Sequence, residues 1–90
     1  MRKKIVAGNW KMHKNAEQTE DLLNELIAKL PTETAVQVIV APTFVNLASA
    51  AAHLEFTNVT VAAQNMHQAE GGAFTGEISA NMLQSVGVQT

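Results

Sequence analysis

Apolar residues recur along this chain in short blocks separated by polar segments. Residues 4–7 form a brief apolar run behind a lysine, and residues 36–41 form a second run that only Gln37 interrupts. Residues 59–63 form a third run, rich in valine and alanine. The pattern predicts three strands, the first of them short and buried. The second run, 36–41, is expected to be buried on both faces, as in a parallel sheet.

The segment between the first two runs has the spacing of an amphipathic helix. Asn15 and Gln18 form a capping box, in which each side chain satisfies a free amide at the start of a helix. Pro31 is expected to end this helix. Its apolar face is predicted from the residues at helical spacing, Leu22, Leu23, Leu26, Ile27 and Leu30.

Two further helices are predicted downstream. Residues 44–55 are rich in alanine, which favours a helix and allows close packing. Ser79 is a suitable N-cap for a short third helix, and Gly87 is placed to stop it. Residues 88–90 then have the character of a fourth strand at its start. The order is βαβαβα with the beginning of another strand.

Strands that alternate with helices in this order predict an α/β fold built on a parallel sheet. The 90 residues are expected to belong to a single domain, 1–90. Residues 64–76 are polar, contain glycine and are long for a connection between a strand and a helix. Long ordered loops of this kind are more often functional than accidental.

Composition removes several classes of function. The formal net charge of −2 gives no global field for nucleic acid or a membrane surface, and the absence of cysteine excludes thiol chemistry and Cys-based metal sites. No run approaches the roughly 18 apolar residues that suggest a membrane span. His13, His53 and His67 form no metal-ligand pattern. We expect a cytoplasmic protein without a metal, a nucleic-acid partner or a membrane partner.

The first candidate for chemistry lies where the first strand ends. Asn9 and Lys11 are two residues apart, so an extended backbone would direct an amide and an ammonium to the same side. The carboxyl end of a strand is where α/β folds place their ligands, and this pair suits an anionic or carbonyl substrate. The spacing is equally compatible with a solvated turn in which Lys11 lies in water.

A second candidate lies at the tip of the long loop, where the sequence reads FTGE at residues 74–77. An exposed Phe74 there is either an ordinary surface residue or an anchor for a partner. Glu77, together with Ser79, has the simpler interpretation of preparing a helix start. The glycines of this loop form no dinucleotide or phosphate-loop fingerprint.

Four segments together resemble the triosephosphate isomerase family. They are residues 6–12 (VAGNWKM), 40–43 (VAPT), 62–65 (AAQN) and 72–79 (GAFTGEIS). They follow the order and the spacing of that family along the whole chain. The resemblance implies a (β/α)8 TIM barrel, of which this chain would carry the first three strand–helix units and the start of the fourth strand.

The resemblance also implies a reaction and a site. The family interconverts dihydroxyacetone phosphate and D-glyceraldehyde 3-phosphate by proton transfer through an enediolate, in glycolysis and gluconeogenesis, without cofactor or metal. By resemblance, Lys11 is the catalytic cation and a partner of the substrate phosphate, and Asn9 lies beside a substrate oxygen. A fixed cation and hydrogen-bond donors stabilise the charge that develops on the enediolate.

The family is a homodimer, and the resemblance places one side of its interface on two loops of this chain. The loop at the FTGE tip would insert into the partner subunit, with Thr75 reaching the neighbouring active site. The interface residues expected by resemblance are Met12, His13, Gln64, Asn65, Phe74, Thr75, Gly76 and Glu77.

The family's catalytic histidine follows its fourth strand, and its glutamate base follows its sixth. No histidine of this chain matches the position of that catalytic histidine. We therefore expect the 90-residue chain to be inactive by itself, and to be aggregation-prone because three strands and a stub do not close a barrel. The alternative is a chain that acts only as an assembly module and needs a complementary chain.

Overall fold

The computed structural model describes residues 4–30 and 35–90, which form a parallel sheet with helical connections. The first unit consists of β1 (Lys4–Asn9) and α1 (Ala16–Lys29), and the second begins with β2 (Val36–Ala41). A 3-10 turn (Phe44–Asn46) leads into α2 (Leu47–His53). They are followed by β3 (Val59–Val61) and α3 (Ala80–Ser85). The βαβαβα order predicted from the sequence is confirmed.

The sheet has the strand order β1-β2-β3, with both pairs parallel. Asn9 lies opposite Ala41, and Val40 lies opposite Val61, so the strands end at a common edge. The amide of Ala62 donates to the carbonyl oxygen of Val40 over 2.8 Å and extends this pairing past β3. The loops that leave the carboxyl ends of β1, β2 and β3 are therefore neighbours.

The core lies between the helices and one face of the sheet. α1 packs against α2 and the 3-10 turn, and α2 packs against β3. Leu23 is the fully buried residue of the predicted apolar face of α1, whereas Ile27 on that face is 41% exposed. The buried apolar cluster consists of Leu23, Val40, Leu47, Ala50, Leu54, Val59, Val61, Leu83 and Val88.

The prediction that β1 is buried is wrong, and the prediction that β2 is buried on both faces is only partly met. Ile5 and Val6 are 59% and 60% exposed, and every residue of β1 is exposed. In β2 only Val40 is buried. β1 is an edge strand, and α1 lies over α2 instead of over β1. An apolar run predicts a strand correctly, but what covers that strand depends on tertiary packing.

Several element boundaries also differ from the prediction. β3 ends at Val61 instead of continuing to residue 63, and the second helix begins as a 3-10 turn. Residues 88–90 are not a strand, although the amide of Ala63 donates to the carbonyl oxygen of Thr90 over 2.9 Å. Pro31, predicted to end α1, lies outside the described residues.

The caps predicted from the sequence are confirmed. Asn15 accepts from the amide of Gln18 through Oδ1 over 2.9 Å, and its own amide donates to Gln18 Oε1 over 3.0 Å. Ser79 Oγ accepts from the amide of Met82 over 3.3 Å at the start of α3. These bonds satisfy amides that the first turn of a helix leaves without partners.

α3 ends in a Schellman motif at Gly87. Gly87 has a φ of 88°, a left-handed conformation that glycine adopts without steric cost. Its amide donates to the carbonyl of Gln84 over 3.0 Å, and the amide of Val88 donates to the carbonyl of Leu83 over 3.0 Å. Val88 and Leu83 are both buried, which supplies the apolar contact typical of the motif.

Replacing Thr19 by valine is expected to raise the free energy of unfolding by about 1 kcal/mol. Thr19 is 1% exposed, and its Oγ1 has no hydrogen-bond partner in the described part of the chain. Valine has nearly the same shape and removes the unpaired hydroxyl. Urea unfolding of the whole enzyme, with and without the substitution, measures the change.

Thr57→Val is the matched control. Thr57 Oγ1 donates to the carbonyl of Leu54 over 2.8 Å and accepts from the amide of Val59 over 3.2 Å. The same substitution there should lower the free energy of unfolding. Equal changes at both positions would contradict the assignment of an unpaired hydroxyl to Thr19.

Candidate active site

The segment that leaves β1 remains attached to the edge of the sheet. The amide of Trp10 donates to the carbonyl of Ala41 over 3.1 Å, so the β1–β2 ladder gains one hydrogen bond beyond Asn9. Asn9 and Lys11 therefore lie where the carboxyl ends of the strands meet, as the sequence predicted. This is the edge at which α/β folds bind ligands.

The geometry that joins Asn9 to Lys11 differs from the prediction. β1 ends at Asn9, and Lys11 has a φ of 54°, so the two-residue period of an extended strand does not apply to this pair. Instead, Asn9 Oδ1 accepts a hydrogen bond from the amide of Lys11 over 2.9 Å. A local turn, rather than strand alternation, fixes these residues relative to each other.

Gln64 joins the loop after β1 to the end of β2. Its Nε2 donates to the carbonyl oxygen of Lys11 over 2.8 Å and to that of Ala41 over 2.9 Å. The sequence interpretation placed Gln64 at a subunit interface and missed its contact with Lys11. The available signal was an amide side chain placed just after the third apolar run, at the same edge of the sheet as Lys11.

Asn46 holds the same loop from the other side and was not singled out in the sequence. It is 1% exposed, and its Nδ2 donates to the carbonyl oxygen of Lys14 over 3.0 Å and to Thr43 Oγ1 over 2.9 Å. Lys14 has a φ of 77°. An asparagine flanked by Val45 and Leu47 was the only signal in the sequence.

Two left-handed lysines in one short loop are unfavourable without support. A left-handed conformation costs an L-residue with a side chain roughly 1–2 kcal/mol. The hydrogen bond that Asn9 accepts and those that Gln64 and Asn46 donate offset this cost at the backbone of Lys11 and Lys14. Residues 9–15 contain two lysines and no acidic side chain, so the loop carries positive charge suited to an anion.

The long loop after β3 is closed at its base and supported from inside. The amide of His67 donates to the carbonyl of Ile78 over 2.7 Å. His67 and Phe74 are in ring contact at 4.4 Å, and His67 Nδ1 accepts from the amide of Ala69 over 3.0 Å. Phe74 nevertheless remains 53% exposed. The tip of the loop is therefore ordered while it presents an aromatic surface.

The residues expected at a subunit interface lie on these two loops. Met12 is 90% exposed, and Gln64 links the loops through the carbonyl of Lys11. Gly76 has a φ of 80°, a conformation that favours glycine at the tip. The remaining expected interface residues that are exposed are His13, Asn65, Thr75 and Glu77.

His53 and His67 have partners within the fold. His53 Nε2 is 2.7 Å from Asn24 Oδ1, which links the end of α2 to α1, and His67 has the contacts described above. Residues 4–30 and 35–90 bring together no group of three or more side chains suited to a metal ion. No helix in the same ranges is long and apolar enough to cross a bilayer.

Replacing Gln64 by glutamate in the whole enzyme is expected to lower the free energy of unfolding by about 1 kcal/mol. Above its pKa a carboxylate cannot donate, and it would face the carbonyl oxygens of Lys11 and Ala41. Gln68→Glu, on an exposed side chain of the same loop, adds the same charge and is the control. Urea unfolding measures both, and equal stability of the two variants would contradict the bridging role of Gln64.

Known proteins match this chain over the strands, helices and loops described above. The family model described as triosephosphate isomerase matches residues 4–90. A triosephosphate isomerase of Flavobacterium psychrophilum is 72% identical over 90 residues, and that of Flavobacterium johnsoniae is 76% identical over 90 residues. The triosephosphate isomerase of Alkaliphilus oremlandii is 47% identical over 89 residues, which cover 99% of this chain.

The Flavobacterium matches cover 100% of this chain and 36% of each relative, so the chain spans about a third of their length. The match includes the carboxyl edge of the sheet, the loop of Lys11 and the long loop after β3. The parallel βα units agree with the first part of a TIM barrel. This chain belongs to the triosephosphate isomerase family.

Proposed function

We propose that this chain supplies the substrate-binding cation of an enzyme that interconverts dihydroxyacetone phosphate and D-glyceraldehyde 3-phosphate. The observation that carries the proposal is the loop after β1. It holds the backbone of Lys11 at the carboxyl edge of the sheet, through the bond that the Lys11 amide donates to Asn9 and the bond that Gln64 donates to the Lys11 carbonyl. An ammonium at this edge suits a small phosphorylated substrate.

In this reaction Lys11 has two tasks. Its ammonium attracts the phosphate dianion of the substrate in the ground state. When a proton leaves the carbon beside the carbonyl, negative charge develops on the oxygen of the enediolate, and the same ammonium stabilises it. A cation fixed before substrate arrives needs little reorganisation as that charge forms.

Asn9 is proposed to present a hydrogen-bond donor to a substrate oxygen. Its Oδ1 already accepts from the amide of Lys11, which fixes the plane of the side-chain amide. The Nδ2 group then remains for the substrate, since an asparagine amide carries two donor hydrogens. In this way one turn fixes the Asn9 side chain and the Lys11 backbone, in the two residues that we assign to substrate binding.

The general acid and base are proposed to come from outside these 90 residues. His53 contacts Asn24, and His67 contacts Ala69 and Phe74. No histidine of these residues matches the family's catalytic position. Lys11 alone binds charge but does not remove the proton. A polypeptide of these residues by itself is therefore expected to have no turnover. We propose no cofactor or metal.

We further propose a cytoplasmic enzyme of glycolysis and gluconeogenesis that works as a homodimer. The loop after β3 would insert beside the loop of Lys11 in the partner, with Thr75 near the partner's active site. The exposed aromatic surface of Phe74 supports this arrangement. The interface would comprise Met12, His13, Gln64, Asn65, Phe74, Thr75, Gly76 and Glu77.

A coupled assay of isomerisation in both directions tests the function, with protein from a host that lacks its own isomerase. We expect turnover from a whole barrel that contains these residues, and from the 90-residue polypeptide only when it is mixed with the complementary part of a relative. The exposed faces of β1 favour an alternative, an assembly module that only associates. Association without turnover would support that alternative, and turnover by the polypeptide alone would refute the division of the site.

A further inference from the structure

Asn46 is a buried amide that donates a hydrogen bond to the loop of Lys11. It is 1% exposed and belongs to the 3-10 turn after β2, yet its Nδ2 reaches the carbonyl of Lys14 across 32 positions of sequence. We propose that Asn46 is a positioning residue for Lys11, acting through the Lys14 peptide. The proposal rests on the function proposed for Lys11.

The loop between β1 and α1 is fixed at both ends. Asn9 ends the β1–β2 ladder, and Asn15 is held in the capping box of α1. Between them, Lys11 and Lys14 are the residues with left-handed φ. With both ends fixed, the orientation of the Lys14 peptide determines the path available to Lys11. The bond from Asn46 to the Lys14 carbonyl holds that orientation.

The burial of Asn46 strengthens its hydrogen bond to the Lys14 carbonyl. The side chain of Asn46 is removed from water, and a hydrogen bond in such surroundings is stronger than one at the surface. The second bond, from Nδ2 to Thr43 Oγ1, fixes the amide from the β2 side. Lys14 is thereby tied to the end of β2, independently of the bridge that Gln64 makes to Lys11.

The side-chain oxygen of Asn46, Oδ1, argues against a purely stabilising role for this residue. Asn46 Oδ1 is buried and has no hydrogen-bond partner in the described part of the chain. A buried acceptor without a partner costs free energy, and an apolar side chain of similar size would avoid that cost. The asparagine is therefore better explained by what it positions than by its contribution to the core.

The first variant is Asn46→Leu, which keeps the approximate volume and removes both bonds. We expect kcat/KM for the triose phosphates to fall about tenfold in the whole enzyme, because small displacements of a binding group are costly. Amide hydrogen exchange of residues 10–15, measured by mass spectrometry without substrate, should become faster. Thr43→Val removes only the Thr43 bond and leaves the bond to the Lys14 carbonyl, so it should change both readouts less than Asn46→Leu does.

The decisive variant adds Lys14→Gly to Asn46→Leu. Glycine adopts a φ of 77° without steric cost, so the loop no longer needs the bond from Asn46 to hold this conformation. We expect the double variant to recover most of the lost kcat/KM and slow exchange in residues 10–15. A residue that only stabilised the core would not be rescued by glycine at another position. The single variant Lys14→Gly is the control for the loss of the Lys14 charge.

The proposal is overturned if Asn46→Leu keeps kcat/KM within twofold of the parent, or if Lys14→Gly restores neither readout. If Asn46→Leu does not fold, Asn46→Ser with and without Lys14→Gly carries the same comparison. An inactive parent enzyme would refute the proposed function alone. The exchange of residues 10–15 would then still decide whether Asn46 and Lys14 are coupled.

Discussion

Replacing Lys11 by methionine is expected to lower kcat/KM for the triose phosphates by on the order of 10³-fold. Removing one neutral donor from an oxyanion site costs about 10²–10³-fold, and a charged donor contributes more. We expect KM to rise and kcat to fall together. The reason is the role proposed for the ammonium, which is to bind the phosphate in the ground state and to stabilise the enediolate in the transition state. Steady-state kinetics of the whole enzyme in both directions measure the two effects.

Lys29→Met is the control for the lost charge. Lys29 lies in the last turn of α1, on an exposed surface away from the carboxyl edge of the sheet. The Lys29→Met enzyme should retain the kinetics of the parent enzyme. A Lys11→Met enzyme whose kcat/KM stays within tenfold of the parent would contradict the role of Lys11. In that case the solvated-turn interpretation of this segment would stand.

Replacing Phe74 by aspartate is expected to weaken the proposed dimer by 30-fold or more. A central aromatic anchor contributes about 2–4 kcal/mol to an interface, and about 1.4 kcal/mol corresponds to a tenfold change in affinity. The ring contact with His67 holds Phe74 in place before a partner binds, so little side-chain entropy remains to be lost. Sedimentation velocity of the whole enzyme at a series of concentrations measures the dissociation constant.

Phe56→Asp is the matched control for an added carboxylate in place of an exposed phenylalanine. Phe56 is 95% exposed and lies in the turn before β3, at the opposite end of that strand from Phe74. It should leave the dimer intact. If Phe74→Asp dissociates no more readily than Phe56→Asp, the loop after β3 is not the interface. We expect activity to fall with the fraction of dimer, because Thr75 is proposed to serve the partner's site.

The parts of the fold that depend on local sequence could be predicted. The caps at Asn15 and Ser79 and the stop at Gly87 are local hydrogen-bond and backbone preferences, and each occurs as expected. The parallel order follows from alternating strand and helix patterns. The position of Asn9 and Lys11 followed from the same reasoning, since strand ends share an edge.

The remaining features depend on contacts between distant segments. The left-handed conformation of Lys11 and Lys14 is not a preference of lysine and exists because other segments support it. Gln64 reaches Lys11 across 53 positions, and no periodicity indicates such a contact. Asn46 was not singled out in the sequence, since its contact with Lys14 spans 32 positions. The exposure of β1 likewise depends on where α1 packs, not on its own apolar composition.

The Schellman motif at Gly87 has a consequence for the strand side of the molecule. By fixing Val88 against Leu83, the glycine turn decides that Val88 faces the core while Gln89 and Thr90 remain exposed. The same turn delivers the carbonyl of Thr90 to the amide of Ala63 beside β3. A slip of one residue would bring the polar Gln89 to the buried place that Val88 occupies. The end of α3 thus determines which residue of the following segment faces the core beside the sheet.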